Sequence, residues 1–108
     1  MAQQRRIPRI DIALACTLRR TKGTPIVART LNLGSGGMLV SSARPLTVDE
    51  QIDFALADLD VPIEGHARVM RQQQHDVYAL RFEGLPEAMM GHLHALAARP
   101  GAEPAAPL

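Results

Sequence analysis

The stretch "IVARTLNLGSGGMLVSS" (residues 26–42) has two apolar segments on either side of a glycine-rich one. Residues 26–31 and 38–42 are predicted to be strands, because both are short, apolar and rich in β-branched or aliphatic side chains. The segment between them, "NLGSGG" (32–37), is predicted to be the connecting turn. This strand–turn–strand unit is the starting point for the rest of the chain.

The turn combines residues of a plain hairpin with residues that bind ligands. Gly34, Gly36 and Gly37 allow positive backbone φ angles and leave no side chain in the way of a ligand. Asn32 and Ser35 supply an amide and a hydroxyl, which can both donate and accept hydrogen bonds. Taken alone, the cluster is only a hairpin turn, since it lacks the lysine of a triphosphate loop and the third glycine of a dinucleotide fingerprint.

Alternating apolar and polar residues predict further strands on both sides of this unit. Before it, every second residue over 10–18 is apolar, which is the period of a half-buried strand. After it come strands over 51–57, 63–71 and 77–82, with a bulge expected at Gly65. Six short strands predict an all-β fold, a closed six-stranded antiparallel β-barrel, because closure removes exposed strand edges. The expected inward-facing residues include Cys16, Ile52, Phe54, Leu56, Tyr78, Leu80 and Phe82.

One C-terminal α-helix is predicted after the sixth strand, over residues 86–98. Pro86 suits the first helical turn, and Met89, Leu93 and Leu96 form an apolar stripe at helical spacing. The stripe is expected to pack on the mouth of the barrel; the alternative is a partner-binding face.

The length of 108 residues leaves room for one domain with a single modest core. We divide the chain into a flexible arginine-bearing arm (1–9), the barrel domain with its helix (10–98) and a disordered Pro/Ala-rich tail (99–108). Cys16 is the only cysteine, which excludes an internal disulfide and favours a reducing, cytoplasmic location. No stretch approaches the ~20 apolar residues of a membrane span, so direct membrane insertion is not expected.

Charge is distributed unevenly along the chain. Residues 1–30 hold seven basic residues and one acidic residue, a net charge of +6, whereas the remainder has a net charge of −5. A basic first third indicates an anionic partner or, alternatively, a solvated tail that balances an acidic body.

Arg5 and Arg9 stand four residues apart. Each guanidinium can donate two hydrogen bonds at once, either to phosphate oxygens or to the O6 and N7 atoms of guanine. Two arginines can therefore clamp a ligand that carries both guanine and phosphate.

No residue pattern indicates an enzyme. His92 and His94 are two apart on the predicted helix and point in different directions, so a shared metal ion is not expected. His66 and His75 are interpreted as strand-surface and turn residues, and Cys16 as a small core residue. We expect no catalytic residue, no metal and no resident cofactor.

Together, the arginine pair and the glycine-rich turn resemble the motifs of the PilZ domain family. That family has R-x-x-x-R just before the first strand and [D/N]-x-S-x-x-G between the second and third. "NLGSGGMLV" is similar to its turn and third strand, and "EGHARVMR" followed by "VYALRFEGL" to its last two strands. The resemblance covers roughly residues 3–98 and also includes the helix.

The resemblance implies a stand-alone receptor for the bacterial second messenger cyclic di-GMP. It implies that Arg5 and Arg9 grip guanine and phosphate, that Asn32 hydrogen-bonds a guanine edge, and that Gly37 keeps the turn open. Arg6 is a third candidate contact. Binding would order the arm and create a surface for a protein partner in motility, exopolysaccharide or pilus control, with either one nucleotide or a stacked pair bound.

One residue departs from the family pattern. Gly34 stands where the family usually has serine, and Ser35 follows one position later. One lost hydrogen bond of about 1 kcal/mol weakens binding several-fold to tenfold. The alternative functions are a PilZ-like protein-interaction adaptor that no longer binds nucleotide, and a small-barrel nucleic-acid binder. The scarcity of aromatic residues, Phe54, Phe82 and Tyr78 alone, and a net charge of +1 oppose the nucleic-acid binder.

Overall fold

The strands of the protein and its helix follow the predicted order. The computed structural model describes residues 9–57, 59–98 and 103–104. Its elements are β1 (Ile10–Asp11), β2 (Ala15–Arg19), β3 (Ile26–Leu33), β4 (Gly37–Ser42), β5 (Gln51–Leu56), β6 (Ile63–Gln74), β7 (Val77–Glu83), α1 (Glu87–Ala97) and β8 (Glu103–Pro104).

Six of these strands close into the predicted antiparallel barrel. The order around the barrel is β2–β5–β6–β7–β4–β3, and pairing of β3 with β2 completes the ring. Every pairing in the ring is antiparallel. Because the ring is closed, each barrel strand is paired with a neighbour on both sides. Two strands run more than one residue further than the sequence indicated: β3 through Leu33 and β6 through Gln74. Asn32 therefore lies in a strand, not in the turn.

The predicted first strand, residues 10–18, is instead two strands. β1 lies outside the ring and pairs with the last two residues of β3, whereas β2 belongs to the barrel. Between them, the buried hydroxyl of Thr30 donates to the carbonyl of Ile12 (2.7 Å) and accepts from the amide of Leu14 (2.8 Å). A side chain thus replaces ladder hydrogen bonds where the chain bends from one strand to the next.

The barrel interior is aliphatic apart from Tyr78 and one stacked aromatic pair. Ile52, Phe54 and Leu56 are buried as predicted, and so are Tyr78 and Leu80. The ring of Phe82 stacks on that of Phe54 with their centroids 5.1 Å apart. Cys16 is 3% exposed, and burial raises the pKa of its thiol to about 12, which fits the predicted core role.

The prediction of a bulge at Gly65 is wrong. Gly65 pairs in regular register with Phe54, and the register shifts of β6 lie further along, at Met70 and Gln73. A Cβ at residue 65 would lie 2.9 Å from the Cδ1 atom of Leu85 and 3.4 Å from the ring of Phe54. The glycine provides space for two packed side chains.

The helix packs on the barrel, as predicted. α1 spans Glu87–Ala97 and contacts β6; Leu93 and Leu96 are buried, and Met89 packs against the same core. Of the predicted disordered tail, the structure describes only Glu103–Pro104, which pair with β1 as β8. The other tail residues, and arm residues 1–8, lie outside the described residues.

Candidate functional site

The end of the arm and the turn meet at one corner of the barrel. Ile10 pairs with Leu33 and Asp11 with Asn32, which sets Arg9 beside the end of β3. The Nη1 group of Arg9 donates a hydrogen bond to the Oδ1 atom of Asn32 at 2.5 Å, across 23 residues of sequence. The short β1 strand thus joins two residues that the sequence assigned to one site.

This pair leaves a set of hydrogen-bond donors at the barrel surface. Arg9 uses one of the two acceptor positions of the Asn32 Oδ1 atom, and the Nδ2 group of the amide offers two N–H donors to a ligand. A guanidinium carries five N–H donors, and Arg9 commits one of its groups to this contact. The exposed pair is suited to ligands that present acceptor atoms, such as phosphate oxygens or the O6 and N7 edge of guanine.

The turn itself is held by two backbone hydrogen bonds. The amide of Gly34 donates to the carbonyl of Gly37 (2.9 Å), and the amide of Phe82 in β7 donates to the carbonyl of Gly36 (3.0 Å). Gly34 is buried and Ser35 is half-buried. These contacts fix the turn against β7.

The glycines of this turn do not use the positive φ angles that glycine allows. Among the described residues, the glycines with positive φ are Gly23 and Gly84. Left-handed conformation is therefore not the reason for the glycines of this turn.

Gly37 has a different requirement for glycine. It is the first residue of β4 and lies opposite Arg81 in β7. A Cβ at residue 37 would overlap the carbonyl oxygen of Leu80 and lie 3.1 Å from the Cα atom of Arg81. Close approach of two strands thus requires a glycine at this position; the expected roles of Gly37 in keeping the turn open and in contacting a ligand stay predictions.

Comparison with known proteins identifies the family of this fold and site. The model of the family described as "PilZ domain" matches residues 3–99, which is nearly the whole chain. This chain belongs to the PilZ domain family. PilZ domains form a cyclic di-GMP receptor family and are binding and adaptor domains, not enzymes.

A solved structure shows the same PilZ fold. The chain is similar to the Bacillus subtilis inhibitor of motility (MotI/DgrA), with a TM-score of 0.70 and 19% sequence identity. The match covers 89% of this chain and 50% of that one, so this chain spans about half the length of that protein's chain. No curated protein sequence matches it.

The structure brings together only part of the predicted PilZ site. Arg9, Asn32, Gly34, Ser35 and Gly37 lie within one corner of the barrel. The other two predicted contacts, Arg5 and Arg6, lie outside the described residues. Which of these residues bind a nucleotide stays a prediction.

Sequence reasoning missed the charged cluster beside the turn. On the outer face of the barrel, Arg68 of β6 pairs with Arg81 of β7. The Glu83 carboxylate accepts a hydrogen bond from the Nε group of Arg68 (3.0 Å) and lies 3.8 Å from the Nη2 group of Arg81. That hydrogen bond raises the pKa of Arg68. Alternation along β7 predicts that Arg81 faces outward, but only strand pairing shows that it adjoins Gly37.

The remaining candidates lie elsewhere. His92 lines a groove of about 360 Å³ between α1 and the segment after β5, whereas His94 is exposed. His66 contacts Asp53 on the barrel surface, 2.5 Å from Nδ1 to Oδ1. Among the described residues, no group of three or more His, Cys, Asp or Glu side chains is arranged to hold a metal ion. Within the same residues, no helix has the length and apolar character needed to cross a membrane.

Proposed function

We propose that this chain is a receptor for cyclic di-GMP, bound at the corner formed by Arg9, Asn32 and the turn, with Arg5 and Arg6 as further contacts. The observation that supports the proposal is the hydrogen bond between Arg9 and Asn32 in a PilZ domain. It joins the last arginine of the R-x-x-x-R motif to the first residue of the turn motif.

The chemistry of the corner fits this ligand. Each guanine offers the acceptors O6 and N7, and each phosphate offers anionic oxygens. In our proposal, the Nδ2 group of Asn32 donates to a guanine edge, and Arg9 bonds to phosphate or guanine. Ser35 supplies a hydroxyl near the position of the family serine. Charge-assisted hydrogen bonds of ~1.5–3 kcal/mol each offset the ~1–2 kcal/mol needed to order each arm residue.

The proposed output is a new surface. In our proposal, binding of the dianionic ligand draws Arg5 and Arg6 onto the barrel beside Arg9, and the arm together with the ligand forms a surface that a protein partner recognises. The proposed location is the cytoplasm, which is consistent with the single buried cysteine. Amide chemical shifts over residues 3–40 test this step, because ordering of the arm changes them when the nucleotide is added.

The experiment that tests the proposal is calorimetric titration with cyclic di-GMP. We expect the wild type to bind with a micromolar or lower Kd, and Arg9→Ala and Asn32→Ala to weaken binding by about tenfold or more. Arg19→Ala is the matched control, because it removes the same charge from β2. Leu18, the neighbour of Arg19, pairs with Ile26, which lies six residues before Asn32 in β3. At ~3.3 Å per residue, Arg19 is therefore about 20 Å from Asn32.

The results separate this function from the alternatives. Equal heats of binding for wild type and Arg9→Ala would exclude the arginine clamp, and absence of binding to the wild type would favour the adaptor. The observation that favours the adaptor is Gly34, which lacks the family hydroxyl. Binding to single-stranded DNA or RNA with a steep salt dependence would indicate the nucleic-acid binder instead.

A further inference from the structure

We propose that Arg81 is an additional contact for the anionic nucleotide, in particular for the half of the ligand that Arg9 does not reach. This inference rests on the proposed function and adds a residue outside both sequence motifs. Arg81 lies on the outer face of β7 opposite Gly37, which has no side chain. The hydrogen bond from Phe82 to Gly36 holds the turn directly against this strand.

Two carboxylates, those of Glu83 and Asp49, lie beside two arginines, and Arg81 is the more weakly held of the arginines. Glu83 is shared by two guanidinium groups, those of Arg68 and Arg81. Arg68 is held by Glu83 at 3.0 Å and by the carbonyl of Asp49 at 2.6 Å. Arg81 is 3.8 Å from Glu83, and its side chain is 56% exposed. Because an exposed ion pair at this distance contributes little, Arg81 can turn towards an anion at small cost while Glu83 stays paired with Arg68.

The distance from Asn32 to Arg81 suits the second half of a cyclic dinucleotide. Asn32 pairs with Leu39, and Gly37, two residues earlier, pairs with Arg81. Two strand spacings and two residues of rise give a Cα–Cα separation of about 12 Å. A cyclic dinucleotide has its two phosphates on opposite sides of the ring, so one arginine cannot contact both. Arg81 supplies a second cation, and no side chain stands between it and the turn at Gly37.

The test is calorimetric titration with cyclic di-GMP of wild type, Arg81→Ala, Arg81→Lys and the control Arg19→Ala. We expect Arg81→Ala to raise Kd about 10- to 100-fold, as for loss of a charge-assisted hydrogen bond. Arg81→Lys should recover part of this loss, because it keeps the charge but not the planar fork. Arg19→Ala should stay within about twofold of wild type. The Kd of Arg81→Ala should also depend less on salt than that of wild type.

Each outcome is informative. If wild type binds and Arg81→Ala binds within about twofold of it, the role of Arg81 is excluded and the proposed function stands. If wild type does not bind, both fail. If Arg81→Ala also lowers the melting temperature, Arg81→Lys decides. The proposal is overturned, and the role of Arg81 is structural, if Arg81→Lys binds as weakly as Arg81→Ala and the Kd of Arg81→Ala depends on salt as strongly as that of wild type.

Discussion

Replacing Gly37 by alanine tests whether this glycine serves strand packing. The added Cβ would overlap the carbonyl oxygen of Leu80 and lie 3.1 Å from both the carbonyl carbon of Leu80 and the Cα atom of Arg81. All three atoms are main chain, so no side-chain rotation can relieve the contact. The start of β4 must move away from β7.

The expected cost follows from two contributions. Overpacking that forces backbone shifts costs about 1–3 kcal/mol, and loss of the neighbouring hydrogen bond from Phe82 to Gly36 adds about 1 kcal/mol. We therefore expect Gly37→Ala to lower the free energy of unfolding by about 2–4 kcal/mol, a large part of the 5–15 kcal/mol typical of a domain. For a domain near this size, that corresponds to a melting temperature roughly 10–20 °C lower.

Gly36→Ala is the matched control. The adjacent glycine is exposed, has no positive φ angle, and an added Cβ there meets no atom within 4 Å. Its free energy of unfolding should not fall, and should rise by up to about 1 kcal/mol because alanine restricts the unfolded chain. Urea denaturation followed by circular dichroism measures both variants. If Gly37→Ala is as stable as wild type, or if both variants lose the same stability, the packing explanation is refuted.

Three further changes have defined outcomes. Thr30→Val keeps the shape of a buried side chain but leaves two main-chain groups without their hydrogen-bond partner, so we expect a loss of about 2 kcal/mol in urea denaturation, with Thr17→Val at a half-buried position of β2 nearly neutral. Glu50→Gln removes the ion pair to Arg20, whose hydrogen bond holds the pKa of Glu50 below its usual value. The stability that this ion pair contributes is fully present above the ordinary glutamate pKa and is lost as the pH falls through the lowered one, so the difference between wild type and variant should shrink as the solution is acidified. Gly34→Ser restores the family hydroxyl at a backbone position without positive φ and should tighten cyclic di-GMP binding several-fold in calorimetry.

These three predictions have distinct contradictory results. Equal stability of Thr30→Val and wild type would mean that the hydroxyl bridge contributes nothing. A stability difference at Glu50 that persists unchanged in acid would exclude the ion pair as its cause. Weaker nucleotide binding by Gly34→Ser would show that the turn is not aligned with the family motif as supposed.

The candidate site was predictable where residue types alone identify it. Arg9 and Asn32 stand in recognisable motifs, and the structure joins them directly. The position of Arg81 beside the turn has no local signal, because it depends on the register between β4 and β7. The same holds for Gly37, whose neighbours Leu80 and Arg81 are more than forty residues away in sequence.

The sequence by itself determined the strands, their inward faces and the helix. Alternation of apolar residues in Ile52, Phe54 and Leu56 is a property of one strand, and it specifies which side is buried before any partner is known. Only the tertiary structure decided how the first strand divides and where glycine is obligatory. The bridge from Thr30 to residues 12 and 14, and the contact of Gly37 with β7, arise between segments far apart in the chain. Such contacts depend on strand register, and no local periodicity encodes register.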